Sequence, residues 1–242
     1  MARVKVVLFD LDDTLFAHAA AVAAGVTAHR RALGGTIAVA DDAAALRRWH
    51  DLEEHHYHRY LRGEIGFLEQ RIARATDFAA PFGIALSPVE AGAWFERYLL
   101  EYRVAWRLHE DALACLDAMP DARFGIITNG ELDFQLPKLE AIGLLPRMEH
   151  VIASGELGVA KPDARIFQHA CDLFEVTPGE AAYVGDRFET DAMGAASAGL
   201  TGVWLDRANS ATADERAAAV ASGVHIVTTL ADVPALLATS RE

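Results

Sequence analysis

The stretch Val4-Lys-Val-Val-Leu-Phe-Asp-Leu-Asp-Asp-Thr14 limits what this chain can fold into more than any other. Five of the six residues before Asp10 are apolar, which suits a short strand buried on both faces of a sheet. The run then stops at three carboxylates, Asp10, Asp12 and Asp13, and the hydroxyl of Thr14. Negative charges gathered at one strand end repel each other. They raise one another's pKa values, or disfavour the fold, unless a cation sits among them. Packing alone has no use for such a tip, whereas a reaction does.

After this strand the pattern is helical for about ninety residues. Asp41 and Asp42 open a helix with Leu46, Trp49, Leu52, Glu53, Tyr57, Tyr60 and Leu61 near a 3.6-residue period. Gly63 interrupts it, and a second helix is expected to carry Ile65, Leu68 and Ile72. Ser87-Pro-Val-Glu90 reads as a capping box with proline at the first helical position, opening a helix with Trp94, Phe95, Tyr98, Leu99 and Tyr102. No strand is expected between about 17 and 107, so residues 17–107 read as an inserted all-α module. From 108 on, helices alternate with short apolar strands near 124–127, 150–153, 182–184, 202–205 and 225–227. Leu113, Leu116 and Met119 mark the inner face of the first of these helices. Pro137 should start, or kink, the helix after the second strand. With residues 1–16, the segment 108–242 then forms an α/β core, a doubly wound parallel sheet.

In such sheets ligands bind beyond the carboxyl ends of the strands, where the strand order reverses. The conspicuous polar residues all follow strands: Asp10 and Asp12 the first, Thr128 and Asn129 the second, Asp186 a later one. A carboxylate nucleophile, a second carboxylate two residues on, a hydroxyl, a lysine and a further acidic pair suit phosphoryl transfer. Mg²⁺ fits an all-oxygen site of this kind. The second carboxylate would move protons, for which its pKa must lie above that of a free aspartate.

These residues resemble the motifs of the haloacid dehalogenase-like hydrolase superfamily. They stand here as Asp10-Leu-Asp12-Asp-Thr14, Thr128-Asn129-Gly130, Lys161 in Gly-Val-Ala-Lys-Pro-Asp, and Gly185-Asp186-Arg-Phe-Glu-Thr-Asp191. The resemblance implies a Rossmann-like sheet of order 3-2-1-4-5 with an extra strand, and a small helical cap of type C1, as in subfamily I. It implies Asp10 as nucleophile and Asp12 as acid/base. Metal would be held by the Asp10 side chain, the Asp12 carbonyl and Asp186, with Asp191 behind them, while Thr128, Asn129 and Lys161 would bind phosphate. The motif forms are similar to those of pyrimidine 5′-nucleotidases and N-acylneuraminate-9-phosphatases. A small phosphorylated metabolite is the expected substrate, with nucleotide or sugar phosphate left open. A dehalogenase, a phosphosugar mutase or a receiver-like phospho-aspartate module are the alternatives. A dehalogenase would not need an acid at position 12.

Net charge is −13 without a basic cluster, so nucleic acid is not an expected partner. No stretch approaches the roughly 18 apolar residues of a membrane span. Cys115 and Cys171 lie on apolar helix stripes, which fits free thiols in the cytoplasm. His55 and His58 are three apart, but no third ligand nearby completes a zinc set, so a solvated helix face is expected. Trp49, Tyr57, Trp94 and Tyr98 are expected to form the core of the helical module, and Arg62 and Gly63 are candidates for facing substrate.

Overall fold

The computed structural model describes residues 3–239. Strand β1, Val6–Phe9, is buried throughout, as its apolar run requires. The chain then turns sharply: Asp13 adopts a left-handed φ of 60°, and its N–H donates to the Phe16 carbonyl at 2.7 Å. Residues 15–17 run beside 107–109, where the Ala17 N–H donates to Arg107 O (3.0 Å) and the His109 N–H to Leu15 O (2.9 Å). The chain divides into two units, one comprising residues through Ala17 and from Arg107 on, the other His18–Trp106.

The inserted unit holds α1 (His18–Leu33), α2 (Gly35–Val39), α3 (Asp42–Leu61), α4 (Phe67–Ala79) and α5 (Pro88–Val104), with no strand among its described residues. Its starts follow the sequence signals. The Asp41 carboxylate accepts from the Ala44 N–H, and Ser87 and Glu90 cap α5 reciprocally. The core centres on Trp49, whose ring meets those of Phe78, Trp94, Phe95 and Tyr98. Gly25 lets α1 approach α5 closely, because a Cβ there would stand 2.8 Å from the Tyr102 Cα. Two expectations fail here. Tyr57 is only half-buried, outside that core, and Ile65 precedes α4, which begins at Phe67 behind the Gly66 cap. His56 is buried against Asp77 at 2.8 Å, and exposed His58 lies 3.4 Å from Glu54. Arg62 pairs with Glu64 at 2.6 Å, and Gly63 has a φ of +72°.

The second unit adds α6 (Ala112–Asp117), β2 (Arg123–Thr128), α7 (Leu132–Ala141), β3 (His150–Ala153), α8 (Ser154–Leu157), α9 (Ala164–Leu173) and β4 (Ala181–Gly185). A π-helical turn, Phe188–Met193, leads to α10 (Gly194–Ser197), β5 (Thr201–Leu205), α11 (Ala213–Ser222), β6 (His225–Val227) and α12 (Val233–Thr239). The six strands form one parallel sheet ordered β3-β2-β1-β4-β5-β6, the expected order with its extra strand. Phe9 pairs with Ile126 on one side and Val184 on the other, so β1, β2 and β4 end nearly level. Leu113 is exposed rather than inward, and α6 buries Ala112, Cys115 and Leu116. Helix α7 starts at Leu132, five residues before Pro137. Pro137 and Asp133 both face solvent, so water can take the place of the one backbone bond the proline cannot make. Cys115 and Cys171 are free and buried. No helix among the described residues is long and apolar enough to cross a membrane.

Candidate active site

The site is built where β1, β2 and β4 stop. The Asp10 N–H donates to the Val184 carbonyl at 2.9 Å, carrying the ladder one residue beyond β1 and fixing the carboxylate above the sheet. Lys161 arrives from the loop between α8 and α9. Its ammonium donates to Asp10 Oδ1 (2.6 Å), to the Tyr183 hydroxyl oxygen (2.7 Å) and to Asp191 Oδ1 (2.7 Å). Tyr183, on β4, donates in turn to the Ile127 carbonyl at 2.9 Å. Asn129 places the lysine: its Nδ2 donates to the Lys161 carbonyl (2.9 Å) and its Oδ1 accepts the Lys161 N–H (2.7 Å). The phosphate-binding expectation for Asn129 thus meets a side-chain amide committed to the Lys161 backbone.

The other wall follows β4. Asp186 receives the Thr14 hydroxyl at 3.4 Å, and its carbonyl accepts the Trp204 indole N–H at 2.9 Å. Asp191 sits in the π-helical turn, whose wide loop brings its Oδ2 back to the Arg187 N–H at 3.0 Å. Gly185 makes that return possible, since a Cβ at 185 would stand 2.4 Å from the Asp191 carboxyl carbon. Asp10, Asp186 and Asp191 offer carboxylate oxygens all within 4.8 Å of one another, an acidic triad able to hold a metal ion. The donors are all hard oxygen ligands, the type that suits a divalent cation such as Mg²⁺.

Burial, with charge crowding behind it, acts on the carboxyls that meet beyond β1 and β4. Burial pushes the Asp10 carboxyl up to about 7 against the pull of Lys161, with Asp191 and Asp12 adding to the rise. Asp186 is raised well above the ordinary carboxylate range by burial and by its Asp10 and Asp191 neighbours. For Lys161 burial works against the charge, but Asp10 and Asp191 more than offset it and raise its pKa. Tyr183, buried beside the same carboxylates, stays protonated.

Asp12 faces elsewhere. Its Oδ1 accepts from the Lys138 ammonium at 2.6 Å and its Oδ2 from Gln135 Nε2 at 3.1 Å. Thr128 Oγ1 accepts from the same Gln135 nitrogen at 3.0 Å. Asp13 turns the chain through its left-handed backbone, as a neighbour of the pair rather than a member of the triad. Sequence reasoning missed Tyr183, Gln135 and Lys138. Tyr183 lies inside an apolar strand and reads as core. Gln135 and Lys138 are three apart on one helix face just after Thr128-Asn129-Gly130, and that spacing was the available signal.

Residues 4–199 match the family model for haloacid dehalogenase-like hydrolases. The chain is 27% identical to the N-acylneuraminate-9-phosphatase of Rattus norvegicus over 233 residues, covering 86% of this chain and 84% of that one. It is 28% identical to (S)-2-haloacid dehalogenase 1 of a Pseudomonas species, covering 98% of each. Among solved structures, the HAD-hydrolase YfnB of Bacillus subtilis, bound to magnesium, superposes with a TM-score of 0.79 at 17% identity, over 98% of this chain and 99% of that one. That last likeness speaks for the fold alone. With the parallel sheet, the acidic strand tips and the buried lysine in place, the chain belongs to the haloacid dehalogenase-like hydrolases.

Proposed function

We propose that this hydrolase is a Mg²⁺-dependent phosphatase acting on a small phosphomonoester through a phospho-aspartate at Asp10. The observation that carries phosphoryl over carbon chemistry is Asp12, a second carboxylate two residues past the nucleophile, positioned by side chains of its own. An alkoxide leaving group needs a proton and an attacking water must lose one, and Asp12 can serve both needs. A halide leaves without a proton, so carbon chemistry has no need of an acid at this position.

In the first step an Asp10 oxygen attacks phosphorus, the bond to the leaving oxygen breaks, and that oxygen takes the Asp12 proton. In the second, water attacks the phosphorus of the acyl phosphate, Asp12 takes the water's proton, and the bond to Asp10 breaks to release phosphate. Lys161 lies against Asp10 and lowers the repulsion between the carboxylate and an anionic substrate. The Thr128 hydroxyl is the candidate donor to a phosphoryl oxygen. Asp10 and Asp186, with Asp191 alongside, would hold the cation, and the Asp12 carbonyl is a further ligand by resemblance. Bound there, Mg²⁺ supplies charge neutralisation of the phosphoryl oxygens. The named activity of the rat relative supports the phosphatase reading, and the three carboxylates within reach of one another support the cation. Nucleoside 5′-monophosphates and sugar phosphates are the substrate classes to try first. Two buried free thiols fit a cytoplasmic setting.

The test is phosphate release from a panel of nucleotides, sugar phosphates and phosphoglycolate, with Mg²⁺ and with EDTA. Turnover should need the metal, and Asp10→Asn should lower it by about 10³-fold or more while leaving the fold intact. Chloride release from a 2-haloacid that survives EDTA, with no phosphate released from the panel, would establish the dehalogenase instead.

A further inference from the structure

Lys138 is among the most deeply buried side chains of its unit, at 1% exposure. Burying an ammonium is costly unless it is paired. Its nitrogen lies 4.7 Å from the centre of the Phe16 ring and 5.3 Å from that of Phe134, and its carboxylate partner is Asp12, 2.6 Å away. Gln135, one turn earlier on the same face of α7, donates from Nε2 to the other Asp12 oxygen. Both oxygens of one carboxylate are therefore held by one helix. The amide can face only this way round, because a carboxylate accepts and never donates when ionised, and an amide oxygen in that place would repel it. The backbone makes room for the contact as well: a Cβ on Gly130 would stand 2.6 Å from Gln135 Nε2. Asp12 itself stays 32% exposed, so its open side is left for a reactant while the clamp closes it from behind.

We propose that Gln135 and Lys138 are positioning residues for Asp12 and Thr128. Lys138 fixes one oxygen of the Asp12 carboxyl from behind, so that the group keeps one place while its open side meets the reactant. Gln135 ties that carboxyl to the Thr128 oxygen. Because Thr128 Oγ1 already accepts from Gln135, its own hydrogen is left to point at a bound phosphoryl oxygen. Proton donor and phosphate contact are thereby set by the same two residues of α7. This inference rests on the phosphatase reading above.

The experiment compares wild type with Lys138→Met, Lys138→Arg and Gln135→Met, reading kcat/KM for p-nitrophenyl phosphate, phenyl phosphate and glycerol phosphate. A nitrophenolate leaves without a proton, while a glycerol alkoxide does not. Lys138→Met should therefore lose about tenfold on the first and about 10³-fold on the last, with phenyl phosphate between. Lys138→Arg should recover part of the tilt, and Gln135→Met should show the tilt together with a raised KM for every ester. A merely structural role would lower all three substrates by one common factor. Equal losses across the series, or none, overturn the inference. If Lys138→Met does not fold, the tilt in Gln135→Met decides alone. A wild type that releases no phosphate from any ester strikes the phosphatase reading itself, an outcome distinct from an active wild type whose variants show no tilt.

Discussion

Replacing Gly185 by alanine adds one methyl group at the end of β4, and the surroundings fix what it must do. The new Cβ would lie 2.4 Å from the carboxyl carbon and Oδ2 of Asp191, and 2.5 Å from its Cβ. Carbon contacts are comfortable at about 3.5–4 Å, so the overlap is about an ångström. Either the strand end shifts or Asp191 swings away, giving up the Lys161 ammonium at 2.7 Å and the Arg187 N–H at 3.0 Å. Overpacking of this kind costs about 1–3 kcal/mol, and a lost hydrogen bond to a charged partner about 1.5–3 kcal/mol. Relaxation takes the cheaper route, so about 2–3 kcal/mol is expected for the unit that carries the sheet. For a unit of this size that is a fall in Tm of about 4–12 °C. Calorimetry of Gly185→Ala beside Gly179→Ala, where a Cβ meets nothing within 4 Å, isolates the effect from that of any extra methyl. In an Asp191→Gly background the same change should cost less than about 1 kcal/mol, because the clash partner is gone. A Gly185→Ala protein melting within about 2 °C of wild type would refute the reasoning.

Other outcomes follow from single sites. Gly92 lies within α5 with open space where a Cβ would go, so Gly92→Ala should stabilise the inserted unit by about 0.5–1 kcal/mol, seen as a higher urea midpoint. His29 is buried beside the Trp94 ring, and burial, helped by Arg97, lowers its pKa from 6.5 to about 4. The unfolded chain thus takes up this proton below 6.5 while the native protein resists it down to about 4. Stability from this site is full above 6.5 and is lost as pH falls across that interval, by at most about 3 kcal/mol. Urea titrations at several pH values should show a shallower acid loss in His29→Gln than in wild type, and equal slopes would contradict the assignment.

Much of the sheet could be read from the sequence because its strands are short, apolar and bounded by helices. Their polar termini marked the end where ligands bind. Asp10, Lys161, Asp186 and Asp191 come together at that end, Asp10 and Asp191 joined through the Lys161 ammonium and Asp186 beside them, while Thr128 closes β2 with its hydroxyl on Gln135. Less legible were side chains whose burial runs against their chemistry. Lys138 is an ammonium buried at 1% exposure, and only the third dimension brings Asp12 to it. Tyr183 reads as core and is core, yet its hydroxyl also completes the lysine's set of acceptors. Of the two readings of Pro137 the helix start is the one that fails, since α7 begins at Leu132 and carries the proline within it. Asn129 followed a strand like its neighbours, but its amide spans both backbone groups of Lys161 and so serves to hold the loop that carries it. Leu113 and Tyr57 show the limit of helical periodicity, which gives a stripe but not its exact edges.

The short ribbon of residues 15–17 beside 107–109 has a consequence for the insert. It brings the two points where the helical insert departs and returns within one backbone hydrogen bond of each other, at Ala17 and Arg107. Loop-closure entropy grows only logarithmically with length, by about 0.6 kcal/mol per doubling. With the doorway already closed by its own bonds, the sheet is nearly indifferent to how many residues pass through it. An insert of another length can therefore be carried there while the reacting groups keep their places.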